Sequence, residues 1–218
     1  MNKNIWMCGV PGSRWSGVDI QLRESLPTDR TDEIPERTFY HRVNIPGDKN
    51  NGHRGSYWGP GMGCGEDWVD FNKLTAARVQ SDIDSVFNGE GLRVIKGHVF
   101  ARGHNLDWIY HNMPGDYIFL IYREPQSCFA WWSEVMDFGD DHYPNYTKAY
   151  TDYNKMREHI WLESAKIVDF AIKHDAPFKQ YDPAEAYKKM PGYTKKQFDM
   201  SVKNRHTSVY YTWIKIPG

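Results

Sequence analysis

Short apolar runs alternate with longer amphipathic stretches along this chain, a pattern that predicts strands and helices in turn. The run Ile5-Trp6-Met7 leads into Cys8-Gly9-Val10-Pro11-Gly12-Ser13-Arg14-Trp15-Ser16-Gly17. No glycine or proline interrupts Val18 to Glu24, so the opening parses as strand, tight turn and helix. Thr38 to Val43 is a candidate strand. Residues 46 to 65 are so rich in glycine that they read as one long loop, because glycine loses backbone entropy with no side chain to pack. From Glu66 to Phe87, Trp68, Phe71, Leu74, Val79, Ile83, Val86 and Phe87 recur at helical spacing and predict a single packed helix stopped by Asn88-Gly89.

Leu92 to Phe100 reads as a strand and Asn105 to Tyr110 as a short helix. Tyr117 to Tyr122 is a continuous apolar run, as expected of an interior strand in a parallel sheet. Pro125 opens a helix reaching about Val135, and Asp137 to Asn145 is an acidic loop. Thr151 to His174 predicts a long helix with Tyr153, Met156, Ile160, Ile167, Val168 and Ala171 inward, ended by Asp175-Ala176-Pro177. Phe178 to Tyr181 is a further candidate strand, Ala184 to Lys189 and Thr194 to Asn204 candidate helices, and Ser208 to Ile216 a terminal extended segment. This alternation predicts one α/β domain over residues 1–218: three layers, with a mostly parallel central sheet flanked by helices.

Charge changes the picture by exclusion. Lysine and arginine total 27 against 28 aspartates and glutamates, so no global field favours nucleic acid or an anionic membrane, and anion binding has to be local. Cys8, Cys64 and Cys128 are scattered and odd in number, which argues against a disulfide framework and for a reducing compartment. Too few apolar residues precede Pro11 for a signal-peptide core, and no long uncharged apolar run follows; the expectation is a soluble, cytoplasmic protein. His98, His104 and His111 lack helical ligand spacing and no H-E-x-x-H pattern occurs, so no metal is expected.

In open α/β sheets ligands bind beyond the carboxyl ends of strands, and three such ends carry chemistry. The turn Gly9 to Gly17 would offer backbone amides and a helix dipole to an oxyanion, although ordinary strand-to-helix turns share its composition. Read as a nucleoside-triphosphatase loop from Gly9, it places Arg14 at the second glycine and Trp15 at the lysine, and only Ser16 agrees. Lys96 and His98 would share a face if extended, and a histidine beside a cation stays neutral and available as a base. The plainer reading has Lys96 snorkelling and His98 satisfying a core hydrogen bond. Arg123 ends the apolar run.

Together the three ends resemble the PAPS-dependent sulfotransferases. Arg93-Val94-Ile95-Lys96-Gly97-His98-Val99 is similar to that family's Lys-Thr-His stretch, Ile121-Tyr122-Arg123-Glu124-Pro125 to its 3′-phosphate motif, and Val10-Pro11-Gly12-Ser13-Arg14-Trp15-Ser16 to its 5′-phosphosulfate loop. The resemblance covers roughly residues 1–135, and Tyr181-Asp182 is faintly like the family's Tyr-Glu-Asp. Gly12 stands where the family has lysine or arginine, Arg14 where it has glycine, and Trp131 where it has the serine eight residues after the arginine.

The resemblance implies a P-loop-like sulfotransferase fold and PAPS (3′-phosphoadenosine-5′-phosphosulfate) as co-substrate, with no metal. His98 would be the general base, Lys96 and Arg14 would stabilise the leaving phosphosulfate, Gly12, Ser13, Arg14, Trp15, Ser16 and Gly17 would hold the 5′-phosphate, and Arg123 with Ser127 or Ser133 the 3′-phosphate. His53, Arg54, Tyr57 and Trp58, in the glycine-rich loop, would close over a small-molecule or carbohydrate acceptor. Two other classes stay open: a non-catalytic nucleotide-binding protein on the same fold, and a P-loop phosphotransferase.

Overall fold

A computed structural model describes residues 3–40, 52–58, 63–64, 70–135, 152–195 and 207–218. Its centre is β1 (Asn4–Gly9), every residue of which is buried. On one side β1 pairs in parallel with β6 (Arg93–Lys96), followed outward by β4 (Tyr57–Trp58) and β5 (Gly63–Cys64); on the other it pairs in parallel with β7 (Tyr117–Arg123). Next to β7 lies the antiparallel β9 (Val209–Lys215), and β8 (Lys179–Gln180) completes a seven-stranded sheet. A separate antiparallel ribbon joins β2 (Thr38–Tyr40) to β3 (Gly52–Arg54). The helices are α1 (Trp15–Ser25), α2 (Ala76–Asp84), α3 (Asn105–Asn112), α4 (Pro125–Val135), α5 (Tyr153–Lys173) and the short α6 (Pro183–Ala186). Among the described residues no helix is long and apolar enough to cross a membrane.

Because strand side chains alternate between faces, the partners of β1 show where each helix lies. Trp6 and Cys8 share one face: Trp6 packs against Phe71 and Phe100, and Cys8 feels the charge of Glu163 on α5. Met7 lies on the other face, beside its register partner Lys96, whose amine reaches Asp19 on α1. Helices thus cover both faces of a mostly parallel α/β sheet. The chain leaves β1 toward β4 and leaves β6 toward β7, so the connections diverge around β1, the topological position at which open α/β sheets place a ligand crevice.

Three elements differ from expectation. The predicted helix 66–87 contracts to α2, because Asp70 caps a separate turn at Phe71–Lys73 and Thr75 accepts from the Arg78 amide, starting a new helix. The glycine-rich stretch is not wholly loop: it contributes β3, β4 and β5, with Tyr57 and Trp58 buried. Tyr153 is 47% exposed rather than inward, at the first turn of α5. The acidic loop 137–145 lies outside the described residues, as does most of the candidate helix 194–204.

One buried ion cluster ties these parts together. Arg23 Nε meets Asp19 Oδ1 at 2.8 Å, and its two terminal nitrogens meet Asp32 Oδ1 and Oδ2 at 2.9 and 3.1 Å. Lys96 Nζ donates to Asp19 Oδ2 at 2.6 Å and to the Arg54 carbonyl. Asp32 also accepts from the Ser56 amide at 2.6 Å, which brings its carboxylate against Gly55, where φ is +72° and a Cβ would sit 2.4 Å from Oδ2. Burial alone would raise the Asp19 pKa, but the charges of Arg23 and Lys96 outweigh it and hold the carboxyl below its usual value.

Removing one member of such a cluster strands a buried charge, at a cost of about 3–5 kcal/mol. Asp19→Ala should therefore lose roughly that much in urea unfolding, whereas Lys96→Met with Asp19→Leu should lose clearly less than the sum of the single changes. Additive losses would show that the two groups do not act as a pair.

Candidate functional site

Beyond the carboxyl ends of β1, β6 and β7 the sequence-predicted residues meet. Gly12 takes a φ of +80°, and a Cβ there would lie 2.3 Å from the Cys128 carbonyl, so the turn can sit this close to α4 only as glycine. Ser13 donates its amide to the Val10 carbonyl at 3.1 Å; its hydroxyl is fully buried and has no hydrogen-bond partner among the described residues. Arg14 takes the left-handed conformation (φ 66°) as N-cap of α1, its carbonyl accepts from Gly17 and Val18, and its guanidinium lies 4.8 Å from the Trp131 ring centre. Trp131 therefore stacks on the arginine where the resembled family would offer a hydroxyl.

Arg123 closes the crevice from the far side. Its Nη1 donates to the Gly12 carbonyl at 2.9 Å and its Nε to Ser208 Oγ at 3.3 Å, joining the ends of β7 and β9 to the opening turn. Ser127 is the third residue of α4, and its amide donates to Glu124 at 2.8 Å, as does that of Gln126 at 3.1 Å. These amides hold the Glu124 carboxyl below its usual pKa although its slight burial acts the other way. Ser133, two turns on, has a buried hydroxyl without a partner among the described residues.

His98 lies beneath the turn. β6 ends at Lys96, and His98 caps a single helical turn with αR backbone, so strand alternation does not carry through to it. Both side chains nonetheless point toward α1: Lys96 to Asp19, and His98 to Trp15, whose ring centre is 4.1 Å from the imidazole. Tyr57 packs edge-on at 5.7 Å. His98 Nδ1 bonds to the Gly9 carbonyl, which can only accept, so Nδ1 carries the proton and Nε2 is the basic nitrogen. The ring is 1% exposed, and burial pushes its pKa down to about 3, the bond to Gly9 opposing and the Arg102 charge assisting.

Several expected roles change. Lys96 is consumed by Asp19 and the Arg54 carbonyl in a buried ion cluster, so its amine anchors β6 to α1 and does not reach toward a ligand. Trp58 is 1% exposed and packs against Trp6, Phe71 and Phe100; it belongs to the core, not to a flap over an acceptor. Tyr57 is buried too, but against His98 and Trp15. Arg54 is half-buried at the end of β3, and the His53 side chain lies outside the described residues. Trp15 contributes its ring to the imidazole rather than a charge to a phosphate. Ser16 and Gly17 are half-buried in the first turn of α1.

Sequence reasoning missed Glu124, Asp32 and the Asp19-Arg23 pair. Only the last carried a clear signal, opposite charges four residues apart on a helix. Tyr181, faintly like part of a family motif, bonds to Gln21 and Tyr187 at 2.6 Å each and so pins α1 from below.

The His98 environment fixes a pH dependence. Between about pH 3 and the ordinary value near 6.5, the unfolded chain binds a proton at this residue that the folded chain does not. The stability is complete above pH 6.5 and falls as the pH is lowered through that window, by at most about 1.4 kcal/mol per pH unit. Urea unfolding of the wild type and His98→Asn between pH 7 and 4 should show their difference shrinking with acid. A constant difference would mean that the imidazole titrates normally. No family model, no curated protein and no solved structure matches this chain.

Proposed function

We propose that the chain transfers a sulfuryl group from PAPS to a hydroxyl of a small-molecule or carbohydrate acceptor, on a P-loop-like sulfotransferase fold. The observation that carries this reading is the bond from Arg123 to the Gly12 carbonyl, which draws the end of β7 onto the same opening turn whose Gly9 carbonyl bonds to the His98 imidazole. A ligand with phosphates at both ends matches such a crevice. Its 5′-phosphosulfate would meet the start of α1, the Ser13 hydroxyl and Arg14; its 3′-phosphate would meet Arg123 with Ser127 or Ser133.

In the transfer the acceptor oxygen bonds to sulfur as the sulfur-to-phosphate oxygen bond breaks, and the acceptor proton moves to His98 Nε2. By analogy with phosphoryl transfer, the gain comes mainly from positioning and from charge opposite the leaving oxygen. Lys96 is committed to Asp19, and in this reading that task falls to Arg14 at the start of α1. A base held neutral to about pH 3 is always in its accepting form, so turnover should show no acid limb from His98 near pH 6–7.

A second reading, nucleotide binding without catalysis, draws on two observations: the imidazole is 1% exposed, and the Glu124 carboxylate occupies the first amides of α4. Phosphotransfer is disfavoured by Trp15, which stands at the lysine position of the loop and packs on His98.

Thermal unfolding with PAPS, its desulfated product and ATP separates the three. At a hundredfold excess over Kd the desulfated product should stabilise by about 2.7 kcal/mol, a Tm rise of roughly 5–10 °C. Arg123→Ala should abolish that rise. With PAPS and a phenol and sugar panel, His98→Ala should lower transfer about 10²- to 10⁴-fold. Stabilisation without transfer to any acceptor would establish the binding reading, and a response to ATP but not to the desulfated product would overturn the proposal.

A further inference from the structure

Among the described residues the sheet has an unfinished edge far along the chain from the opening turn. β9 is paired with β7 over its whole length, from Val209 to Lys215, but with β8 only at Tyr210 and Tyr211. In an antiparallel ladder the N–H and C=O of one residue point to the same side, and successive residues alternate. The Val209 carbonyl accepts from Tyr181, at the β8 side, and the Ile216 amide donates to Asp116, at the β7 side. Odd-numbered residues of β9 therefore direct their backbone outward. Those of Trp213 and Lys215 lie past the end of β8, and no described strand pairs with them.

That open edge is the floor of a groove of about 700 Å³. One wall comes from Tyr110 and His174, the other from Ala186 and Met190, so the groove runs between the two layers that flank the sheet. Its base is firm: the Trp213 ring stacks on Phe119 at 4.0 Å and its Nε1 donates to the Ala186 carbonyl at 2.8 Å. From Thr212 to Lys215 the edge would accept an added strand roughly 13 Å long at about 3.3 Å per residue.

The charges select the occupant. Three carboxylates line the groove with four lysines: Glu185 is paired with Lys188 at 3.0 Å, the Asp182 carboxylate accepts from the Ala184 amide at 2.8 Å, and Asp175 is exposed beside His174, which leaves the lysines in excess. Lys179, Lys189 and Lys215 are exposed at the groove, and no described carboxylate pairs with them. A second copy of this edge would bring lysines against lysines. We propose that the β9 edge binds an extended acidic peptide segment of a partner protein, which adds a strand in line with β8 while its carboxylates meet these lysines. This site is independent of the proposed catalytic reading.

The probe is acetyl-Glu-Val-Glu-Val-Glu-amide, titrated into the full chain and followed by backbone amide NMR and hydrogen exchange. Trp213 and Lys215 amides should shift and exchange more slowly, and the lysine-for-glutamate peptide should bind at least about tenfold more weakly. Lys179→Glu with Lys215→Glu, both at exposed positions, should weaken the acidic peptide about tenfold while thermal unfolding stays unchanged. The proposal is overturned if millimolar acidic peptide leaves those two amides unmoved or if the basic peptide binds equally well. It is overturned too if sedimentation shows a dimer that already protects them.

Discussion

The ionic contact between Lys96 and Asp19 decides much of this structure. It joins the carboxyl end of β6 to α1, and through Arg23 and Asp32 it extends to the segment that leads into β4. The two connections that diverge around β1 are thereby fixed against one another. The arrangement is stable because almost every proton is used: Arg23 meets three carboxylates, Asp19, Asp32 and Glu33, and the Val94 carbonyl, and Lys96 meets a carboxylate and a carbonyl. A cluster so completely satisfied holds shape well and offers little to a ligand.

Under the proposed reading, the chemistry would fall to the turn and not to the strand. With Lys96 internal, the Arg14 and Arg123 guanidiniums border the opening turn, the Ser13 hydroxyl is buried within it, and His98 lies just beneath with its ring against Trp15. Burying an imidazole between two aromatic rings and a carbonyl keeps it neutral and fixes its tautomer, at the expense of its basicity. Arg14 pays for nothing with backbone ease: a non-glycine residue at φ 66° is strained, and its stack on Trp131 is the compensation the structure provides.

Much of the fold was legible. The apolar runs around Trp6 and Phe119 gave the two central strands, Pro125 marked the start of α4, and α5 fell within its expected bounds. Less legible were features set by single side chains acting across the chain. Nothing local says that Asp70 and Thr75 split a periodic apolar stretch into two pieces, or that Tyr57-Trp58, flanked by glycines, forms a buried strand. Gly12, His98 and Arg123 come together because β1 lies between β6 and β7, an order that residue spacing does not state; nor does it state the capture of Lys96 by a helix residue 77 positions earlier in the chain.

The account stands or falls on where a doubly phosphorylated nucleotide settles. A crystal structure with the desulfated product of PAPS bound tests this most directly. It should place one phosphate within hydrogen-bond distance of Ser13 Oγ and the start of α1, and the other against the Arg123 guanidinium. Nucleotide density anywhere else, with Arg123 still holding only Gly12 and Ser208, would contradict it.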